Sequence, residues 1–356
     1  MRGARADAAR TATRCAAAAA AAEDRTPAEA EAFAKDAKMQ RACKLALEGS
    51  SSAALSAMEG LGMAPPTQDT VDKLHDLHPE DPDGLHPIPN QLQRQGKEWA
   101  KEVQIDGDDV LTAVASAPKR KSEDVSGWRV EYLMALLNFP DALAALITIF
   151  RQICTGALPD QAATAFRRGR LVAIQKPDPG GIRPIGIPLV WRRMAGRIFN
   201  AKHKDELKHT CVGLDGRVVQ FAIGRASGPQ AMSISLQELM ERNLTWILAS
   251  LDIKNAFNCM AEGVAAMAEG VAASPLYQSL SYYNMCYSTP AQMTYHAGGQ
   301  AFTILSKTGS TQGTTDGMQH FSLGQHPLLV SAAKDFPDVI ILEGRYQVKK
   351  RESIDT

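Results

Sequence analysis

Hydrophobic and polar positions shift from helical to strand spacing and back along the chain. Val110, Leu111 and Val114 recur at helical spacing after Asp108. A break at Ser126-Gly127 precedes a second expected helix from Arg129 to Leu137, and a strongly apolar third runs from Asp141 to Cys154, ending before Gly156. The period then changes. Arg170 to Ile174 and Ile182 to Pro188 flank Pro177-Asp178-Pro179-Gly180-Gly181, the pattern of a β-hairpin. A basic helix is expected from Trp191 to His209, across the hairpin base. Further on, Trp246-Ile247-Leu248-Ala249-Ser250-Leu251 is a short apolar run of the kind that forms a buried strand. Gly309 and Gly313 bracket a tight turn opening a helix with Met318, Phe321, Leu323 and Leu328-Leu329 as its apolar positions.

These patterns imply a helical amino-terminal region followed by mixed α+β sequence. Residues 1–68 read as an alanine-rich extension with little to build a core. Residues 69–103 read as linker and helical lead-in, with HPEDPDGLHPIP at His78 to Pro89 as its Pro/Asp/Gly-dense part. Organised sequence is expected over 104–342, with a divergent tail at 343–356.

Composition refines this outline. With 356 residues and 45% hydrophobic content, the chain can bury a sizeable core. Net charge is zero, but residues 161–208 hold eleven Lys and Arg against three acids. Such a block suits a polyanion, with salt-sensitive binding; a solvated helical face is the alternative. The six cysteines form no CxxC pair, so neither a zinc knuckle nor a disulfide framework is indicated, and a reducing compartment fits. The first 22 residues carry four arginines and a seven-alanine run without serine richness, which favours a low-complexity tail over a transit segment. No apolar run is long enough to span a bilayer, so no membrane partner is expected.

Candidate chemistry sits at three places. Asp252 is the first charge delivered by the apolar run, and Phe257 follows five residues later; the alternative for Asp252 is a helix N-cap. Lys176 enters the hairpin turn and Arg183 leaves it, so a point charge and a planar fork stand near one tip as an anion clamp. Gln312, in the glycine turn, can reach a flat ligand that the backbone approaches closely.

In order, the KP-turn-RPI hairpin, LDIKNAFN and G-x-x-Q-G opening a helix resemble the fingers and palm of a reverse transcriptase, with the nearest likeness to those of non-LTR retrotransposons. The likeness runs from about Ile105 to Leu342 and includes Asp124 to Trp128 and the HPLL near Leu329. It implies an RNA-directed DNA polymerase with a right-hand α+β fold and an antiparallel palm sheet backed by helices. It also implies an RNA template, a DNA primer, dNTP substrate and two Mg2+ ions. In these terms Asp252 ligates the metals with help from the Ile253 carbonyl, and Phe257 gates against a ribose 2′-hydroxyl. Lys176 and Arg183 hold the triphosphate, and Gln312 with Gly313 lines the nucleotide pocket.

The chain departs from the family in three respects. Where a Y-x-D-D element is due, it reads Glu343-Gly344-Arg345-Tyr346-Gln347-Val348-Lys349-Lys350. The one Asp-Asp pair, Asp108-Asp109, lies upstream and reads as a helix cap. MAEGVAA occurs twice in succession, at Met260 to Ala266 and Met267 to Ala273, and Thr314-Thr315-Asp316 replaces the usual Asp-Pro-Leu. One carboxylate cannot hold two catalytic metals. The chain is therefore expected to be truncated before its second acid pair and inactive, with a non-catalytic nucleic-acid-binding remnant as the alternative. An exposed edge near Ile247 to Asp252 is expected where the missing strands would pair.

Overall fold

The computed structural model describes residues 62–78, 87–119, 121–210, 218–221, 223, 227–249, 255–258, 263–335 and 341–343, with scattered helical positions between 35 and 58. It divides into two compact units, Met1–Gly62 and Met63–Thr356. In the first, the described positions between 35 and 58 are helical, and Gln40 donates to Asp36 one turn back. The rest concerns the second unit.

Its class is α+β. Five helices, α1 Gln68–Asp76, α2 Asn90–Trp99, α3 Gly107–Ala115, α4 Val130–Leu136 and α5 Pro140–Cys154, are followed by α6 Asp160–Phe166. Next come the hairpin β1 Gly169–Gln175 and β2 Ile182–Pro188, then α7 Val190–Lys202, α8 Lys204–Thr210, β3 Val218–Gln220 and α9 Gly228–Arg242. The chain ends with α10 Gly263–Ala272, α11 Leu280–Tyr287, β4 Ala291–Ala297, β5 Gln300–Ser306, α12 Gly317–Asp335 and β6 Ile341–Glu343.

The expected hairpin forms, with Gln175 opposite Ile182 and Gly169 opposite Pro188. Its sheet is larger than the hairpin and mixed, in the order β2-β1-β4-β5: β1 meets β4 in parallel, and β4 pairs with β5 antiparallel. The β4–β5 connection is Gly298-Gly299, both at positive φ (55° and 77°), as a two-residue hairpin turn requires. β3 and β6 form a separate parallel pair.

The apolar run at Trp246 does not fulfil the expectation of a buried strand. Trp246 to Ala249 are irregular and unpaired, and Trp246, Ile247 and Leu248 are 44%, 93% and 54% exposed. The physical reason is that strand propensity expresses packing against neighbouring strands, and no described strand pairs with this run. Leu251 to Lys254 lie outside the described residues.

Two apolar clusters hold the unit. One joins α3, α5, α7, α10 and α11 around Phe150, Met194, Ile198, Met267, Leu280 and Tyr282. The other covers one sheet face: Val71 and Leu74 of α1 pack on Leu171, Ala173, Met293, Tyr295 and Ile304. α1, within the stretch read as linker and lead-in, thus packs against the sheet. The repeated heptad makes α10, where Val264, Met267 and Val271 are buried at helical spacing. Gly270 lets α10 approach α12, since a Cβ there would stand 2.5 Å from the Leu323 backbone.

Several cations of the basic stretch brace the interior. Arg197 donates to the Ala113 and Ser116 carbonyls at the end of α3, where a cation also meets the negative end of the helix dipole. Lys202 pairs with Asp109 at 2.8 Å, Arg167 donates to the Met285 carbonyl, and Arg192 is buried. Asp109 also closes a capping box with Asp106 at the start of α3, the cap expected of the acid pair.

The start of α7 is fixed from 66 positions upstream. Leu189, its N-cap residue, has no side chain able to accept a hydrogen bond. Asp124 Oδ2 takes the Val190 N–H at 2.7 Å instead, while Oδ1 accepts from the Ser126 N–H and Oγ–H and from the Trp128 N–H. The carboxylate is 2% exposed, so these donors have no water to replace it. Asp124→Ala is expected to lower the unfolding free energy by roughly 3 kcal/mol, as charge-assisted bonds are lost and a buried helix N–H is stranded; urea denaturation checks this, and a loss under about 1 kcal/mol would contradict it.

Candidate functional site

β2 is an edge strand, and its outward backbone groups need partners. The Gly186 N–H donates to the Gln312 carbonyl at 2.7 Å, so the glycine turn lies along that edge. The approach admits no extra atoms. A Cβ on Gly186 would come 2.1 Å from Thr311 Cγ2, and one on Gly313, whose φ is +119°, would come 2.2 Å from the Gly186 carbonyl oxygen. α7 holds the same turn from the other side: Thr315 Oγ1 donates to the Arg193 carbonyl at 2.9 Å, and Asn200 Nδ2 to the Thr315 carbonyl at 3.1 Å.

The turn also meets the segment after Asp252. The Ser310 N–H donates to the Phe257 carbonyl at 2.8 Å, and Thr308 Oγ1 donates to the Asn258 carbonyl. Gly309 leaves room for this crossing, since a Cβ there would stand 1.9 Å from the Phe257 oxygen. The Phe257 ring lies against Phe321 of α12, centroids 5.0 Å apart. Asn255 takes a positive φ of 55° and, with Asn258, donates to the Leu77 carbonyl, so the end of α1 supports the segment too.

Lys176 and Arg183 occupy one face of the hairpin. The Lys176 N–H bonds the Gly181 carbonyl, extending the ladder by one pair, and Arg183 faces Ile174. They are diagonal neighbours at the tip, roughly 7–8 Å apart by such geometry. Both are half-exposed, and neither makes an ion pair among the described residues. Ile185 and Ile187 continue that face toward an open cleft of about 310 Å³, lined also by Met194, Gly313 and the cations Lys121, Arg193 and Arg197. Burial lowers the pKa of Arg193 and Arg197 from the usual arginine value.

Of the expected site residues, Gln312, Gly313 and Phe257 come together through backbone bonds, and Lys176 and Arg183 share the hairpin docked on that turn. Asp252 and Ile253 lie outside the described residues. No group of three His, Cys, Asp or Glu side chains assembles as metal ligands among the described residues. Sequence reasoning missed Gly186, Lys121 and the His78–Asn258 contact (3.5 Å); of these, only Gly186, a glycine inside a strand pattern, carries a local signal of close backbone approach. No protein-family model matches the chain, and no relative is found among the curated proteins.

Two outcomes follow. Gly186→Ala should cost about 1–3 kcal/mol by overpacking, read from urea unfolding, because the turn must leave the β2 edge; an unchanged midpoint would contradict the contact. The second concerns pH. Burial is the main cause that lowers the pKa of His78 and of His320 below the ordinary 6.5. The unfolded chain then binds more protons, so stability is full above pH 6.5 and falls as pH drops below it. The unfolding midpoint should be level from pH 8 to 7 and decline toward about pH 5; a midpoint that stays level down to pH 5 would contradict the buried, neutral histidines.

Proposed function

We propose that this chain is a reverse-transcriptase-like module of a non-LTR retroelement, comprising the fingers and a partial palm, that binds nucleic acid and nucleotide but lacks the second acid pair for nucleotidyl transfer. The observation that carries it is the meeting of three sequence-distant motifs: the hairpin edge at Gly186, the turn at Gln312-Gly313 and the segment ending at Phe257-Asn258. A polymerase of this family needs them adjacent, because one nucleotide must touch all three.

In this reading Lys176 and Arg183 hold the triphosphate, Gln312 and Gly313 line the pocket, and Phe257 presses on the sugar edge. The cleft bearing Lys121, Arg193 and Arg197 offers cations to a template backbone. Partners are then an RNA template, a DNA primer and dNTP; among the described residues no helix is long and apolar enough to cross a membrane. The described residues do not assemble a metal site, and the ligands expected for Mg2+, Asp252 and the Ile253 carbonyl, lie outside them. What the described residues themselves supply is binding and positioning. The cleft favours a second reading, nucleic-acid binding without any nucleotide chemistry.

The test is primer extension on an RNA template with Mg2+ or Mn2+, beside binding of the same duplex across a salt series. We expect salt-dependent binding, dNTP affinity weakened roughly tenfold by Arg183→Ala as one charge-assisted contact is lost, and no incorporation above that of Asp252→Ala. Incorporation abolished by Asp252→Ala would contradict the loss of activity. Duplex binding without dNTP binding would favour the second reading, and absence of both would overturn the module itself.

A further inference from the structure

The interior between α7, α11 and α12 encloses charge. Arg192 is 2% exposed, Asp316 3% and His320 2%. The Tyr287 ring faces the guanidinium at 4.8 Å, and His320 stands edge-on to Tyr283 with centroids 4.9 Å apart. Among the buried atoms here that make no hydrogen bond to the protein are Arg192 Nε and Nη2, Asp316 Oδ2 and His320 Nδ1. The Asp316 carboxyl meets α7 at Gly196, about one helical turn on from Arg192, and its Oδ2 takes no hydrogen bond from the guanidinium.

Magnitudes exclude leaving these groups bare. Each unsatisfied buried polar atom is costly, more so when charged, and several together would consume much of a typical domain's marginal stability. The cation–π contact offsets a part of this cost. One acid and one base share this interior, so neither a bound anion nor a cation is called for, and no metal-ligand trio exists among the described residues. The species that accepts from Arg192 and donates to Asp316 at once is water.

We propose that Arg192 and Asp316 form a water-bridged ion pair in the interior, with His320 as a further partner, and that this hydrated cluster positions the Gln312–Asp316 turn. The inference stands apart from the polymerase reading, since it concerns where the turn sits. Its geometry follows from two contacts. Asp316 opens α12, accepting the His320 N–H at 3.0 Å, and its carboxyl rests on α7 at Gly196, where a Cβ would approach within 3.2 Å. A shift of Asp316 therefore moves the turn whose Gln312 carbonyl meets Gly186.

Two measurements test it. A high-resolution crystal structure of the wild-type chain should show ordered water hydrogen-bonded to both Arg192 and Asp316; direct guanidinium–carboxylate contact, or an occupant other than water, would overturn it. In Asp316→Asn, amide exchange of Gly186 should quicken at least tenfold while that of Val172, on the adjoining strand, stays unchanged. Unchanged exchange at Gly186, or equal acceleration of both amides, would also overturn it, the latter meaning only global loosening. If that variant does not fold, the wild-type crystal structure decides alone.

Discussion

An edge strand must be covered, and here one backbone bond, Gly186 N–H to the Gln312 carbonyl, does it with a turn from 126 positions downstream. Everything proposed for the site depends on that contact. It sets the hairpin beside the glycine turn, and the bond from the Ser310 N–H to the Phe257 carbonyl carries the third segment to the same place. Only glycine fits at Gly186, Gly309 and Gly313, because a Cβ at each would fall about 2 Å from a neighbouring atom. Backbone contact this tight sets position without dictating side-chain identity, which leaves Gln312 and the cleft cations to contact a ligand.

α7 links the contact to the rest of the unit. Asp124 fixes the helix start, Arg197 and Lys202 tie it to α3, and Arg193, Gly196 and Asn200 meet the 312–316 turn along one face. Thr314-Thr315-Asp316 therefore hold the turn in place, since Thr315 and Asp316 are the residues α7 grips. Part of the local basic excess serves this bracing. Lys176, Arg183 and Lys121 remain without ion pairs among the described residues, and they border the hairpin tip and the cleft.

Much of this was legible from local pattern. The hairpin followed from a Pro/Gly turn between two apolar runs, and α4 and α5 from helical spacing and their flanking breaks. The β4–β5 hairpin was missed although Gly298-Gly299 separates Ala291, Met293, Tyr295 and Ala297 from a second alternating run; its signal was local and readable. Trp246 to Leu248 misled because an apolar run specifies a strand only where a partner strand exists. Asp124 on Val190, and the burial of Arg192, were not legible at all. Both depend on residues far apart in sequence, and a charge count treats every arginine as surface. That the hairpin, the glycine turn and the segment at Phe257 meet came only from the tertiary contacts.

The most direct measurement is photo-crosslinking with an azido-dATP, followed by mass spectrometry of tryptic peptides. The account predicts label in the peptides spanning residues 171–192 and 308–334, which carry Lys176, Arg183, Gln312 and Gly313, and competition by unmodified dATP. Label confined to other peptides, or equal label after competition, would contradict the claim that these motifs form one nucleotide site.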